Sequence, residues 1–238
     1  MNAQRPGAMA FAALGALLFA FSLVAFLYAY LVRFGRVAPD EARLASVLWN
    51  VGLFTVFALH HSLLARAGAK ALVARLVPAE LERSTYVWTA SILFIVVCLW
   101  WRPVPGELYR LSGVMALPGY LIQITGIVLT IRGSAALGVM DLAGVSPLLD
   151  GGGRETVKRP LETSGLYGFV RHPLYFAWVL FVFGTPAMTM TRFVFATVST
   201  LYLAAAIPFE ERSLIAQFGD EYRGYKRKVK WRMVPGLF

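Results

Sequence analysis

Residues 171–211 read RHPLYFAWVLFVFGTPAMTMTRFVFATVSTLYLAAAIPFEE. Two apolar runs, 173–189 and 192–209, are joined by GTPAMTMTR, which predicts a tight helical hairpin. Arg171 and His172 stand before the first run, and Glu210 and Glu211 close the second. Antiparallel neighbours in a hairpin bring those ends together. A cationic pair and an acidic pair are therefore expected to face each other at one membrane surface.

Working outward, the chain is 58% hydrophobic and 15% charged, whereas soluble domains carry about 25% charged residues. Four further runs near the ~20 residues a span needs lie at about 8–32, 43–65, 84–101 and 112–131. The pattern predicts an all-α polytopic membrane protein of about six transmembrane helices with a C-terminal amphipathic helix. The first run is too long for a signal peptide and reads as a span. The boundaries expected are an N-terminal four-helix membrane region, 1–132, and a C-terminal region, 133–238. The latter opens on a Gly-rich, charged connection containing LLDGGGRETVKRPLETSG.

The net charge of +10 could suggest nucleic acid. Loop lysines and arginines in a membrane protein have a topological origin instead, so no nucleic-acid partner is expected. Of the 23 Lys and Arg residues, seventeen fall on the side of the N-terminus, Arg66, Lys70, Arg75, Arg154, Lys158 and Arg159 among them, and six on the opposite side. That asymmetry predicts both termini in the cytoplasm. The lone Cys98 excludes an internal disulfide and a zinc cluster and reads as a packed or lipid-facing thiol. Beyond the sixth run, Leu214, Ile215, Phe218, Tyr222 and Tyr225 recur at helical spacing among charges. They predict an interfacial helix, followed by a basic tail, YKRKVKWR, suited to anionic lipid headgroups.

His60 and His61 close the second run, on the same expected side as Arg171 and Glu210, as does Asp141 after the fourth. Charges at helix ends also snorkel or act as topology signals. Two carboxylates beside Pro208 and Phe209, opposite an Arg-His pair, are less ordinary and mark a candidate site. Adjacent histidines on a helix point about 100° apart and chelate one metal poorly, and no metal cluster is read from the chain.

GLYGFVRHPLY (165–175) followed by EERSLIAQFGDEYRGYKRKV (210–229) resembles the C-terminal signature of the membrane-embedded S-adenosylmethionine-dependent methyltransferases. These include isoprenylcysteine carboxyl methyltransferases and phospholipid methyltransferases. The matching elements are Arg171, His172, Pro173 and Tyr175; Glu210 and Glu211; and Phe218, Gly219, Tyr222 and Tyr225. Ala177 stands where that pattern commonly has glycine. ALHHSLLAR, PAELERSTYVWTAS, WWRPVPG and TPAMT resemble bacterial methanethiol S-methyltransferases and the overlapping NnrU-like proteins.

The resemblance implies an integral membrane enzyme of a bacterial inner membrane, using S-adenosyl-L-methionine and a small or lipophilic methyl acceptor among membrane lipids. It implies a cofactor site made of Gly165, Tyr167, Arg171, His172, Tyr175, Glu210 and Glu211. Arg171 could meet a carboxylate with its planar fork. Glu210 and Glu211 could accept from an ammonium or ribose, and Gly165 and Gly168 allow close backbone approach. His60 or His61 is the candidate base for a small-thiol acceptor, whose methylation gives a thioether. An isoprenylcysteine carboxylate or a lipid amine is the alternative acceptor. A haem-binding NnrU-like or carotenoid-isomerase-like protein, with His60 or His61 and His172 as handles, is a second alternative, and a non-catalytic membrane partner a third.

Overall fold

A computed structural model describes residues 5–39, 43–64, 77–78, 81–138, 143–145 and 160–238. Asp141 and the cationic residues Arg66, Lys70, Arg75, Arg154, Lys158 and Arg159 lie outside the described residues. The chain divides into two compact units, Met1–Gly106 with Leu137–Thr156, and Glu107–Ala136 with Val157–Phe238.

The first unit holds α1 (Arg5–Tyr28), continued by a wider turn over Ala29–Arg33, α2 (Arg43–Leu64) and α3 (Glu82–Trp100). α1 and α3 run parallel, since Gly15 meets Trp88, Phe26 meets Phe94 and Arg33 reaches Cys98. Gly15 is what allows the approach, because a Cβ there would lie 2.8 Å from the Trp88 ring. The indole answers by donating Nε1–H to the Phe11 carbonyl at 3.0 Å. α2 runs antiparallel to α3, with Phe57 on Phe94 and His61 on Tyr86.

The end of α3 shows why this unit holds its register. A helix leaves its last carbonyls without partners, and lipid supplies none. Here Arg33 donates to the Cys98 and Leu99 carbonyls at 2.9 and 3.2 Å, and Trp49 Nε1 donates to Trp100 O at 3.0 Å. The fully buried Asn50 gives and takes 2.8 Å hydrogen bonds with the Arg102 backbone. Cys98 is buried, in keeping with a packed thiol.

The second unit holds β1 (Glu107–Arg110), α4 (Leu117–Leu137), α5 (Pro173–Phe183), β2 (Ala187–Thr189), α6 (Met190–Phe218) and α7 (Asp220–Lys228). α4 and α5 are antiparallel and close. Gly119, Gly126 and Gly133 recur every seventh residue, facing Gly184 and Pro186, Ala177 and Phe181, and Leu174. A Cβ on Gly126 would sit 2.6 Å from the Phe181 nitrogen, so the seam is backbone on backbone. Ala177 is fully buried in it. β1 and β2 form a small antiparallel pair at the hairpin turn, an addition that helix periodicity did not predict.

Among the described residues, five helical stretches are long and apolar enough to cross a membrane: Pro6–Arg33, Arg43–Ser62, Glu82–Trp100, Gly113–Ala135 and Met190–Phe218. α5 is apolar but has 11 residues, about 16 Å of rise against a hydrocarbon core near 30 Å. The expected interfacial helix also begins later than the periodicity suggested. Leu214, Ile215 and Phe218 belong to α6, which runs on past the glutamates until Gly219 turns the chain at φ 58°. Only Tyr222 and Tyr225 lie on the separate α7.

Candidate functional site

Pro173 opens α5, its missing N–H costing nothing at the first helical position and its ring fixing φ for the helix. That leaves Arg171 and His172 as the last residues before the helix, and the C-terminal segment fixes them there. The Arg171 amide donates to Trp231 O at 3.0 Å and the His172 amide to Arg232 O at 2.8 Å. Arg171 and His172 are 7% and 5% exposed, so both polar groups need partners inside the protein.

Glu211 is the hub. Its Oε1 accepts from Arg171 Nε at 2.6 Å, and its Oε2 lies 2.7 Å from Lys226 Nζ. Glu211 is 3% exposed. Arg171 Nη1 donates to the carbonyls of Val229 and Lys230 at 2.7 and 2.9 Å. The guanidinium expected to meet a ligand carboxylate is therefore committed to protein acceptors, and its visible work is to tie α5, α6 and the tail together.

Glu210 differs from its neighbour. Its side chain is 45% exposed, with Oε2 accepting from the Tyr175 hydroxyl at 2.9 Å and lying 3.3 Å from His172 Nδ1. Oε1 is left open. His172 Nε2 is buried and 3.6 Å from Glu211 Oε1, beyond hydrogen-bond length. Burial pushes the His172 pKa down, but the adjacent carboxylates of Glu210 and Glu211 outweigh it, and the pKa is raised from the ordinary histidine value.

Tyr167 and Gly165 lie on a short turn, Gly165–Gly168. The Tyr225 hydroxyl donates to Tyr167 O at 2.7 Å, and Tyr167 packs beside the buried Tyr222, Tyr225 and Val229. Space around Gly165 is open, so its requirement is the positive φ of 55° rather than a crowded approach. The second unit thus brings Arg171, His172, Tyr175, Glu210 and Glu211 into one cluster, with Tyr167 and Gly165 on the turn that α7 holds. Lys226 and the carbonyls of residues 229–232 were not foreseen. Lys226 follows Tyr225 on the face that carries Tyr222, and an inward lysine beside two inward tyrosines is a sequence signal for a buried acid.

In the first unit the Tyr86 hydroxyl lies 2.8 Å from His61 Nδ1 and 3.3 Å from the His61 carbonyl. The same hydroxyl is 3.4 Å from His61 Nε2, so the phenol holds the imidazole by its ring edge and its backbone, and either tautomer satisfies the Nδ1 contact. His61 is exposed. His60 stacks on Tyr86 with ring centroids 6.5 Å apart, and its buried Nδ1 has no hydrogen-bond partner among the described residues.

Residues 156–216 match the isoprenylcysteine carboxyl methyltransferase (ICMT) family. The chain is 34% identical to methanethiol S-methyltransferase 2 of Bradyrhizobium diazoefficiens, over 90% of this chain and 86% of that one. It is 35% identical to the methanethiol S-methyltransferase of Crocosphaera subtropica, over 80% and 75%. A protein-S-isoprenylcysteine O-methyltransferase of Dictyostelium discoideum is 35% identical over 32% of this chain and 33% of its own. No solved structure matches. The similarity to the first two enzymes runs through both units, and the chain belongs to the family of the methanethiol S-methyltransferases, with an isoprenylcysteine carboxyl methyltransferase region in its C-terminal half.

Proposed function

We propose that the protein is an integral membrane methyltransferase that moves a methyl group from S-adenosyl-L-methionine to a small thiol of the methanethiol kind. The similarity along nine-tenths of the chain to a methanethiol S-methyltransferase carries the reading. The acidic, half-open Glu210 beside a locked ion cluster supports the donor assignment. An isoprenylcysteine acceptor has less support, because likeness to those enzymes covers about a third of the chain.

The residues fit such a donor. Among the described residues, Glu210 has a carboxylate oxygen with no partner, suited to an ammonium or ribose hydroxyl, and the buried His172 Nε2 has no hydrogen-bond partner. Tyr175, stacked on the His172 ring at 5.3 Å, keeps both in place. Arg171, Glu211 and Lys226 then act one step back, holding His172 and Glu210 at the start of α5 and the middle of α6. When bound, S-adenosylmethionine supplies a methyl on a sulfonium, an electrophile that needs no metal. A thiolate is the required nucleophile, and a thiol with a pKa near 8.5 is only a few per cent ionised at pH 7. We assign the exposed imidazole of His61 to take that proton, with Tyr86 holding its ring. The domain roles follow: acceptor chemistry in 1–132 and donor binding in 133–238. The seventeen-to-six charge split supports cytoplasmic termini, and a reporter fused after Phe238 that is active only outside the cytoplasm would reverse that orientation.

The test uses purified protein, methyl-labelled donor and a panel of thiols, prenylcysteines and lipids. Label is expected in a small thioether, and label only in prenylcysteine esters would exchange the two readings. Glu210→Gln should weaken S-adenosylhomocysteine binding roughly 10- to 100-fold, the loss of one charge-assisted contact, while the melting temperature stays. His61→Gln should lower thiol turnover roughly 10²- to 10⁴-fold with donor affinity kept. Wild-type rate and pH dependence in that variant would remove His61 from the chemistry.

A further inference from the structure

At about 100° per residue α7 has two faces. Tyr222, Tyr225 and Lys226 lie on the inner one, the tyrosines 1% and 6% exposed and the lysine on Glu211. Arg223, Arg227 and Lys228 lie on the other, all exposed. Arg223 has a partner in Asp220 at 2.8 Å, and that pair is open to solvent. The helix follows directly on a stretch long enough to cross the bilayer, Met190–Phe218, with one glycine between. Its outer face is thus at the depth of the lipid headgroups. Past α7, Lys230 and Trp231 are exposed as well, a cation and an indole of the kind found at membrane boundaries.

The segment that carries these side chains does a second thing. Its backbone carbonyls at Val229, Lys230, Trp231 and Arg232 take every one of the tail's hydrogen bonds from Arg171 and His172 described above. The side chains of Arg223, Arg227, Lys228, Lys230 and Trp231 look outward while the main chain of 229–232 grips the start of α5.

We infer that the outer face of α7 and the segment after it dock on anionic phospholipid headgroups of the protein's own membrane, and that this docking tightens the backbone clamp on Arg171 and His172. Donor binding then depends on lipid charge. A basic side chain near an anionic surface contributes roughly a fivefold effect, and salt screens it. The second half of the inference rests on His172, held in place by Arg171, belonging to the donor site, as proposed above; the clamp itself does not.

The experiment places the full chain in nanodiscs of neutral phosphatidylcholine, or of the same lipid with roughly a third phosphatidylglycerol, enough to charge the surface. Amide-resolved hydrogen exchange is read at Arg171 and His172 without donor, with amides in the middle of α6 as reference. Exchange at the two sites should slow roughly five- to tenfold in anionic discs. The difference should vanish in R223Q/R227Q/K228Q and in about 1 M salt. Equal exchange in both discs, or a difference that survives in the triple variant, overturns the docking. S-adenosylhomocysteine is then titrated into both discs, with an affinity gain of the same size expected in the charged one. Protection that responds while affinity does not overturns the coupling to donor binding. Protection that responds with no donor bound in either disc leaves the clamp standing and removes the donor reading.

Discussion

The α5–α6 hairpin carries a buried arginine at each end, and the two are equally hidden: Arg171 and Arg192 are both 7% exposed. Their surroundings differ. Arg171 meets a carboxylate, Glu211, which also holds Lys226. Arg192 donates to the Thr185 hydroxyl at 3.1 Å and the Ala187 carbonyl at 2.6 Å, with Thr189 capping the helix from which it projects. One end is a network of full charges with a half-open carboxylate at its edge. The other is a guanidinium that staples the turn and β2 to the start of α6. Burial alone does not set the two arginines apart; the half-exposed Glu210 at the Arg171 end does.

The largest effects should separate the ends by stability. Glu211→Ala strands the buried Arg171 and takes the partner from the part-exposed Lys226, and removing one partner of a buried ion pair costs about 3–5 kcal/mol. Arg192→Met removes charge-assisted hydrogen bonds worth about 1.5–3 kcal/mol to neutral partners. Thermal unfolding in detergent should therefore rank Glu211→Ala well below Arg192→Met, and Arg192→Met should bind S-adenosylhomocysteine as the wild type does. The reverse order would make the turn, not the ion cluster, the keystone of the hairpin.

Between the ends, the seam of Gly126 on α5 keeps both in register. Gly126→Ala forces a methyl to 2.6 Å from backbone, and overpacking of this kind costs about 1–3 kcal/mol. Gly52, with nothing within 4 Å of its would-be Cβ, should accept alanine without loss. Equal melting temperatures for the two variants would mean that α4 and α5 can slide apart, and that the ends are not held by the seam.

The sequence made the ionic end legible and the other end not, for a physical reason. Arg171, His172, Glu210 and Glu211 are complementary charges placed where two apolar runs meet, so pairing follows from charge and hairpin topology. Arg192 has partners at a threonine and a carbonyl, and carbonyls are invisible in a sequence because every residue has one. It was counted only as a charge on the far side. The same blindness hid the tail: YKRKVKWR displays its side chains, whereas its grip on Arg171 is made by the main chain. Helix existence was read well from the apolar runs. The shortness of α5 was not, because Gly184 to Thr189 remains apolar enough to extend the run while the chain has already left the helix.

The smallest effect expected is a pH dependence that only the ionic end should show. His172 lies between Glu210, Glu211 and the stacked ring of Tyr175, next to the Arg171 guanidinium. Its pKa in the folded protein is raised, so folding favours its protonated form. The stability it contributes is fully present below about pH 6.5, the unfolded value, and is lost as pH rises through the folded pKa. The contribution is about 1 kcal/mol, the size of one hydrogen bond in a network that Arg171 and Lys226 already neutralise in part. Melting temperature should thus fall as pH rises above 6.5, and His172→Gln, which cannot gain a proton, should flatten that fall without touching the response of the Arg192 end. A wild-type slope as flat as that of His172→Gln would mean the imidazole stays neutral between the two glutamates. Glu210 would then keep its hydrogen bond from Tyr175 but lose a cation, and its open oxygen would carry more of the charge offered to a ligand.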